Sequence, residues 1–200
     1  MEEWRAVLEA ARAQPSAREE GLLMLLYELG LRASEPGRLR LSYCRKLHEG
    51  ELYVWRGKGS RTGWEDLSTH TTDALYAWIK ERYPEPNKRK PGDFLFPARR
   101  RHKGKVMGLS RWKMWRIVKD LGEQAGIPEQ VAHPHAIKHS RVQHLLEAAD
   151  AEPELSSEKV LLAAADVVGH KSAQTTLKHY SAKTAAEKDL LEKVTKKALE

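Results

Sequence analysis

Apolar residues recur at helical spacing along most of the chain. Residues 2–13 predict a short helix, whose apolar side is formed by Trp4, Val7, Leu8 and Ala11. The pattern along the rest of the chain predicts further helices over residues 17–29, 71–82, 110–125, 135–149, 158–167, 175–180 and 185–199. Most of the chain is therefore expected to be helical.

Local signals mark where several of these helices begin and end. Pro15 interrupts the first helix, and Ser16 with Glu19 has the spacing of a capping box that opens the second. Gly30 is placed to end the second helix, because glycine readily adopts the left-handed conformation found there. Ser110 is expected to cap a later helix.

Residues 39–67 have a different character. Short apolar runs predict three strands, over residues 40–47, 52–56 and 64–67. A glycine-containing turn joins the first two strands, and a turn rich in glycine and positive charge, residues 57–63, joins the last two. The predicted fold class is mainly α with a small three-stranded antiparallel sheet.

The composition is that of an ordinary globular domain with a basic surface. Of the 200 residues, 40% are hydrophobic and 32% are charged, which suits one domain with a real core. The formal net charge of +7 favours a polyanionic partner, and nucleic acid is the first candidate. Net charge alone does not identify the partner.

Cys44 is the only cysteine in the chain. An internal disulfide and a cysteine-based zinc module are therefore excluded. Cys44 lies among polar neighbours, and we expect it to be incidental rather than redox-active or nucleophilic. Since the sequence contains no secretory leader and no stretch long enough to span a membrane, we expect a cytoplasmic protein with no membrane partner.

Motifs with phosphate-binding chemistry follow one another along the chain. They read Leu-Gly-Leu-Arg-Ala-Ser-Glu at 29–35, Arg-Gly-Lys-Gly at 56–59, His-Pro-His-Ala-Ile-Lys-His-Ser at 133–140 and Val-Gly-His-Lys-Ser at 168–172, and Tyr180 comes after them. Each motif alone is weak evidence. In this order they resemble the tyrosine recombinase family, which includes phage integrases and the Xer and Cre recombinases. The resemblance covers about residues 17–182.

The resemblance implies a fold and a reaction. The fold would be the catalytic domain of a tyrosine recombinase, in which a tyrosine attacks one DNA phosphodiester, forms a 3′-phosphotyrosyl link and frees a 5′-hydroxyl. A second strand's 5′-hydroxyl then reverses the step. The bond energy stays in the link, so the resemblance implies no nucleotide cofactor and no metal. Positive donors must meet the charge that develops on the phosphate in the transition state.

The first two motifs supply three candidate site residues. Arg32 matches the first family arginine, since a guanidinium can donate two parallel hydrogen bonds to phosphate; a plain surface arginine is the alternative. Glu35 matches an acidic residue that orients the cations, with an ordinary carboxylate at a helix N-terminus as the alternative. Lys58 matches the hairpin lysine that protonates the leaving 5′-oxygen, with a solvated turn lysine as the alternative.

The third motif departs from the family pattern. His135 matches a histidine that acts as general base or phosphate donor, with a capping or buried histidine as the alternative. Lys138 stands where the family usually has a second arginine, so the charge is kept and the forked contact is lost. Arg141, about one helical turn further on, is a candidate to compensate.

His135 and His139 also have the spacing of metal ligands on a helix. Ala136 stands where a zinc protease motif would have glutamate, and the sequence shows no clear third ligand, so we expect no metal site.

The last motif leads to the nucleophile. His170 matches a histidine that donates to phosphate, with a histidine at a helix start as the alternative. Tyr180 matches the family nucleophile. A free phenol has a pKa near ~10 and needs neighbouring cations or a base to react at neutral pH. The other tyrosines suit core positions, because none follows a Gly-His motif.

Positive residues outside these roles predict contacts with DNA phosphates. The candidates are Arg56, Arg61, Arg99, Arg100, Arg101, Lys103, Lys105 and Arg111. A solvated flexible loop is the alternative for the run at 99–105. The polar segment 150–157 is interpreted as a surface insertion. The C-terminal helix 185–199 is expected to dock either on a neighbouring protomer or on its own domain.

Together these features predict a single catalytic domain over residues 1–200, with a core at 17–182 and no N-terminal core-binding domain in this chain. The expected partner is double-stranded DNA, bound in the cytoplasm on the nucleoid, with self-association into a tetramer in the synaptic complex. The expected function is that of a site-specific recombinase or integrase. A type IB topoisomerase-like enzyme and a non-catalytic DNA-binding relative are the alternatives.

Overall fold

A computed structural model describes residues 2–56, 62–99, 101–151 and 195–196. The helices predicted over residues 158–167 and 175–180 lie outside the described residues. So do nearly all of the segment 150–157 and of the helix 185–199.

The described part of the chain is mainly helical, as the apolar pattern predicts. Its helices are α1 (Glu2–Arg12), α2 (Arg18–Glu28), α3 (Thr69–Arg82), α4 (Arg111–Gln124) and α5 (Pro134–Ala151). Helix α2 lies at the centre, in contact with α1, α3 and α5. Its run from Leu22 to Tyr27 is completely buried, because neighbouring helices cover it on several sides.

Serine side chains cap two of these helices. Ser110 Oγ accepts a hydrogen bond from the Lys113 N–H at the start of α4, as the sequence predicts. Ser68 does the same for α3 through the Thr71 N–H. The capping box predicted at the start of α2 is wrong. Ser16 Oγ accepts from the Arg18 N–H instead of from Glu19, and the cap residue of α2 is Ala17.

The sheet has two strands in the described part of the chain, β1 (Glu51–Val54) and β2 (Gly63–Asp66). They pair antiparallel, with Tyr53 opposite Trp64. The third strand predicted over residues 40–47 is wrong. There only Arg40 forms a bridge, with Phe94, and short 3-10 turns follow.

The physical reason is a competing set of partners for the backbone of residues 40–47. The N–H groups of Leu41 and Ser42 donate to the carbonyl oxygens of Asp93 and Pro91, so this segment is held by a later loop and not by β1. The same loop is anchored by Leu95 and Phe96, which are fully buried.

Two glycines permit a close crossing of the chain near this loop. A Cβ atom on Gly37 would lie 1.8 Å from the Leu109 carbonyl oxygen, and one on Gly108 would lie 1.7 Å from the Gly37 oxygen. Only glycine fits at either position without moving the backbone. The crossing fixes the start of α4 against the segment that follows Arg32. Among the described residues, no helix is both long enough and apolar enough to span a membrane.

Candidate active site

Arg32 is presented by a tight turn just beyond α2. The helix ends at Glu28, Leu29 is its cap residue, and Gly30 follows with φ +56°, the left-handed conformation predicted for it. The backbone N–H of Arg32 donates to Glu35 Oε2 at 2.7 Å, and Arg32 Nη1 lies 3.3 Å from Glu35 Oε1. The Glu35 side chain is only 3% exposed, whereas the Arg32 side chain is 52% exposed. Glu35 therefore holds the turn from inside, while about half of the Arg32 side chain remains exposed to solvent.

Lys138 projects from α5 into the same region. Its side chain is buried, with 6% exposure. The pKa of Lys138 is lowered to about 8, mainly by burial and then by the positive charges of Arg32 and Arg56, against the opposing effect of Glu35. Lys138 is thus a buried cation that shares its surroundings with two guanidinium groups.

Arg56 lies two residues beyond the end of β1, and its side chain is largely covered, with 9% exposure. Its Nη2 donates to the Leu29 carbonyl oxygen at 2.9 Å and lies 3.9 Å from Glu65 Oε1. The guanidinium therefore bridges the sheet and the end of α2, close to the turn that carries Arg32. Three cations from three separate elements meet here.

His135 occupies the first turn of α5, one turn before Lys138. It is exposed, and its Nε2 lies 2.8 Å from the Nε2 of His139, with the two rings edge to face. Partial burial lowers the pKa of His135, and the nearby His139, Lys138 and His133 lower it further. The imidazole is therefore neutral near pH 7 and can accept a proton. Within the described ranges, no group of three or more metal-ligating side chains comes together.

Arg141 faces away from this site. It is completely buried, its guanidinium lies 5.0 Å from the centre of the Tyr27 ring, and its Nη1 donates to Thr195 Oγ1 at 3.3 Å. The positive charge of Arg141 also opposes the rise in pKa that burial causes at the Glu28 carboxyl. Arg141 therefore belongs to the core between α2 and α5, and it cannot take the place of an arginine at position 138.

The basic residues of the loop before α4 form an exposed surface. Arg99, Arg101, Lys103, Lys105 and Arg111 are all exposed. Arg99 also borders a groove of about 1020 Å³, whose other cationic lining residues are Arg18, Arg82 and Lys113. Trp112, on the same groove, is 66% exposed. Such a surface offers both charge and an aromatic face to a polyanion.

The remaining site candidates, Lys58, Arg61, Arg100, His170 and Tyr180, lie outside the described residues. The structure thus brings together Arg32, Glu35, Arg56, His135 and Lys138, on elements far apart in the sequence.

Comparison with known proteins assigns this arrangement to a family. The model of the phage integrase family matches residues 1–187. The chain belongs to the phage integrase family. Phage integrase relatives among curated proteins include tyrosine recombinase XerD of Listeria monocytogenes serotype 4b, 31% identical over 151 residues, which are 75% of this chain and 47% of that protein.

Other relatives agree with this assignment. Tyrosine recombinase XerA of Thermococcus kodakarensis is 32% identical over 130 residues, which are 65% of this chain and 42% of the relative. The crystal structure of a XerA recombinase superposes with a TM-score of 0.64 at 23% identity, covering 94% of this chain and 61% of that one, which shows a shared fold. The chain spans about half the length of the curated relatives it matches.

Two features of this phage integrase domain escaped the motif analysis. One is the low exposure of the Arg56 side chain, because the sequence presents Arg56 as the last residue of a strand and a contact to DNA phosphates. The other is Glu28, whose carboxylate accepts hydrogen bonds from the Ser68 N–H at 2.6 Å and the Ser68 hydroxyl at 3.0 Å. A signal for Glu28 was available, since it is a single carboxylate directly after the apolar run from Leu22 to Tyr27.

Proposed function

We propose that this chain is the strand-cutting domain of a site-specific DNA recombinase, and that Tyr180 is its nucleophile. The observation that carries the proposal is the convergence of Arg32, Lys138 and His135 on neighbouring elements. Such a set of cations beside a neutral imidazole suits a phosphodiester that must gain negative charge as it reacts. Membership of the phage integrase family supports the same reading.

In the proposed reaction the Tyr180 oxygen attacks the phosphorus of one DNA strand. The bond from phosphorus to tyrosine oxygen forms, and the bond from phosphorus to the 5′-oxygen breaks. The phenol proton passes to His135 or to solvent, and Lys58 gives a proton to the leaving 5′-oxygen. In the second half, the 5′-hydroxyl of another strand attacks the phosphotyrosyl link and releases Tyr180.

Each cation has a different role in binding the phosphate. Arg32 is exposed and carries a planar fork, so it can meet two oxygens of the phosphate at once. Glu35 fixes the Arg32 turn through the 2.7 Å bond to its backbone. Lys138 supplies a point charge from the buried side of the site, and His170 is proposed as a further donor.

The proposed partner is double-stranded DNA. The exposed basic residues of the loop at 99–105 and of the groove beside it provide the contacts to the backbone away from the reacting bond. Exchange of strands between two DNA sites needs four cutting subunits, so we also propose self-association into a tetramer on DNA. The basic surface further suits a cytoplasmic protein bound to the nucleoid.

The test uses a library of short duplexes of random sequence, each with a nick that lets the cleaved fragment diffuse away. A recombinase should accumulate as a covalent complex on a subset of sequences, and should then pass the bound strand to an added 5′-hydroxyl acceptor. Sequencing the trapped strands identifies the site.

Two results would contradict the proposal, and each would identify a different function. Relaxation of a supercoiled plasmid with no transfer to the acceptor would identify a topoisomerase-like nicking and closing enzyme. DNA binding with no covalent complex on any library member would identify a non-catalytic relative.

A further inference from the structure

Lysine at position 138 leaves the proposed phosphate site short of one planar donor. A guanidinium can give two parallel hydrogen bonds to one phosphate, whereas an ammonium group gives a single charge with rotating donors. Arg141, the nearest arginine on α5, faces Tyr27 and Thr195 in the core. A second guanidinium for the phosphate must therefore come from a helix, strand or loop other than α5.

Arg56 can supply this second guanidinium, because its side chain is largely covered and lies close enough to Lys138 to lower the pKa of that lysine. Its side chain is 9% exposed, and it lies two residues after the end of β1 and two residues before Lys58 in the sequence. One edge of the guanidinium is held, because Nη2 donates to the Leu29 carbonyl oxygen at 2.9 Å. The Nε atom is buried and has no hydrogen-bond partner.

A buried donor without a partner is costly, so it calls for an explanation such as a ligand. Arg56 is also a poor candidate for a purely structural ion pair. The carboxylate oxygen of Glu65 lies 3.9 Å from its Nη2, well beyond hydrogen-bond distance.

The charges around Arg56 point to an anion. Lys138 is repelled by the positive charges of both Arg32 and Arg56, which lower its pKa. Their carboxylate neighbours are Glu35, beside Arg32, and Glu65, beside Arg56. A bound phosphodiester would bring negative charge to this group of cations and oppose the repulsion that Lys138 experiences.

We propose that Arg56 contacts the reacting phosphate and supplies the guanidinium that Lys138 cannot. This rests on the proposed function and deepens it. Arg56 then acts inside the cutting site and not on the DNA backbone outside it. The rival is a latch, in which Arg56 only ties the hairpin base to the Leu29 carbonyl.

The first test compares the effect of one substitution in two versions of the protein, which differ at position 138. Arg56→Gln is made in the natural chain and in Lys138→Arg, and single-turnover cleavage of a trapped library site is measured with saturating protein. Loss of one transition-state donor typically lowers the rate by about 10²–10³-fold. The proposal expects a loss of that size in the natural chain and a loss at least ten times smaller in the Lys138→Arg background, where the second fork is restored. Arg38→Gln, which changes an exposed arginine near Trp55, is the matched control and should cleave like the natural chain.

A latch gives a different result. It predicts equal rate losses in the two backgrounds, together with a lower melting temperature for Arg56→Gln. That outcome would overturn the proposal.

The second test does not depend on cleavage. Orthovanadate, an anion that mimics the five-coordinate phosphate, is titrated by calorimetry into the natural chain, Arg56→Gln and Arg38→Gln. The proposal expects at least tenfold weaker binding for Arg56→Gln only. Equal binding by all three proteins would overturn the assignment of Arg56, whereas vanadate binding that depends on Arg56 in a chain that cuts no DNA would preserve it and overturn the proposed function.

Discussion

Lys138 differs from an arginine in a property that can be measured, since it can lose its proton near neutral pH. Its pKa is lowered to about 8 because the side chain is buried beside Arg32 and Arg56. The charged form therefore prevails below pH 8 and is lost as the pH rises through about 8. An arginine at the same position stays charged throughout this range.

This gives a pH prediction for cleavage. The rate constant at sub-saturating DNA, which reports groups of the free protein, should fall above pH 8 in the natural chain relative to Lys138→Arg. Activation of Tyr180 depends on pH in both proteins, so the ratio of their rates isolates Lys138. A ratio that stays constant from pH 6.5 to pH 9.5 would remove Lys138 from the phosphate site.

Lys58 can be tested by the chemistry of the leaving group. Lys58→Ala should slow cleavage of ordinary DNA by about 10²-fold or more, as expected for the loss of a general acid. DNA with sulfur in place of the bridging 5′-oxygen should be cleaved by Lys58→Ala nearly as fast as by the natural chain, because a thiolate leaves without a proton. Equal slowing on both substrates would make Lys58 a phosphate contact only.

Residue types and spacing could identify the chemistry at this scale, but not the burial of individual side chains. Arg32 and Lys138 are recognisable from their motifs. Arg56 and Arg141 look alike in the sequence, as basic residues near a motif. Arg56 lies near Lys138 and the Leu29 carbonyl, whereas Arg141 packs in the core, because the enclosing helices and strands decide where each side chain lies.

Glu28 shows how an element end can join separate parts of the fold. This last residue of α2 is buried and accepts hydrogen bonds from Ser68 and from the Thr71 hydroxyl, at the start of α3. Burial raises its pKa, against the opposing charge of Arg141 on α5. One carboxyl thus links the three helices that surround the Arg32 turn.

Glu28→Ala should therefore destabilise the domain. Removing one member of a buried, hydrogen-bonded charge network typically costs about 3–5 kcal/mol in the free energy of unfolding. Glu123→Ala, an exposed position on α4, is the matched control and should change it by less than about 0.5 kcal/mol. Urea unfolding of both variants measures the difference, and similar midpoints for the two would show that Glu28 is not a structural link.

The five helices in the described part of the chain could be predicted closely because each has its own apolar pattern. The errors came where longer-range partners decide the structure. Residues 40–47 have the composition of a strand, but their N–H groups bond to the later loop at 91–93. The Ser68 cap lies before the predicted start of α3, and its value depends on Glu28, which is distant in the sequence.

Over the whole molecule, the basic surface should make DNA binding depend on salt. Each phosphate contact contributes about −0.9 to the slope of log K against log salt concentration. The double variant Arg99→Gln with Arg111→Gln should reduce the steepness of that slope by about 1.8. Lys80→Gln with Lys88→Gln, two exposed changes around the end of α3, removes the same charge and serves as the control. Equal slopes for the two double variants would argue against a dedicated DNA surface at the loop.

The central claim is that Tyr180 forms a covalent bond to DNA, and one measurement tests it directly. The natural chain, Tyr180→Phe and Tyr76→Phe are incubated with the nicked duplex library and resolved under denaturing conditions. Tyr76 is 43% exposed on α3, so its variant is a matched control. The account predicts a covalent protein–DNA band for the natural chain and Tyr76→Phe, and none for Tyr180→Phe, with all three proteins binding DNA equally in a native titration. A covalent band from Tyr180→Phe would contradict it.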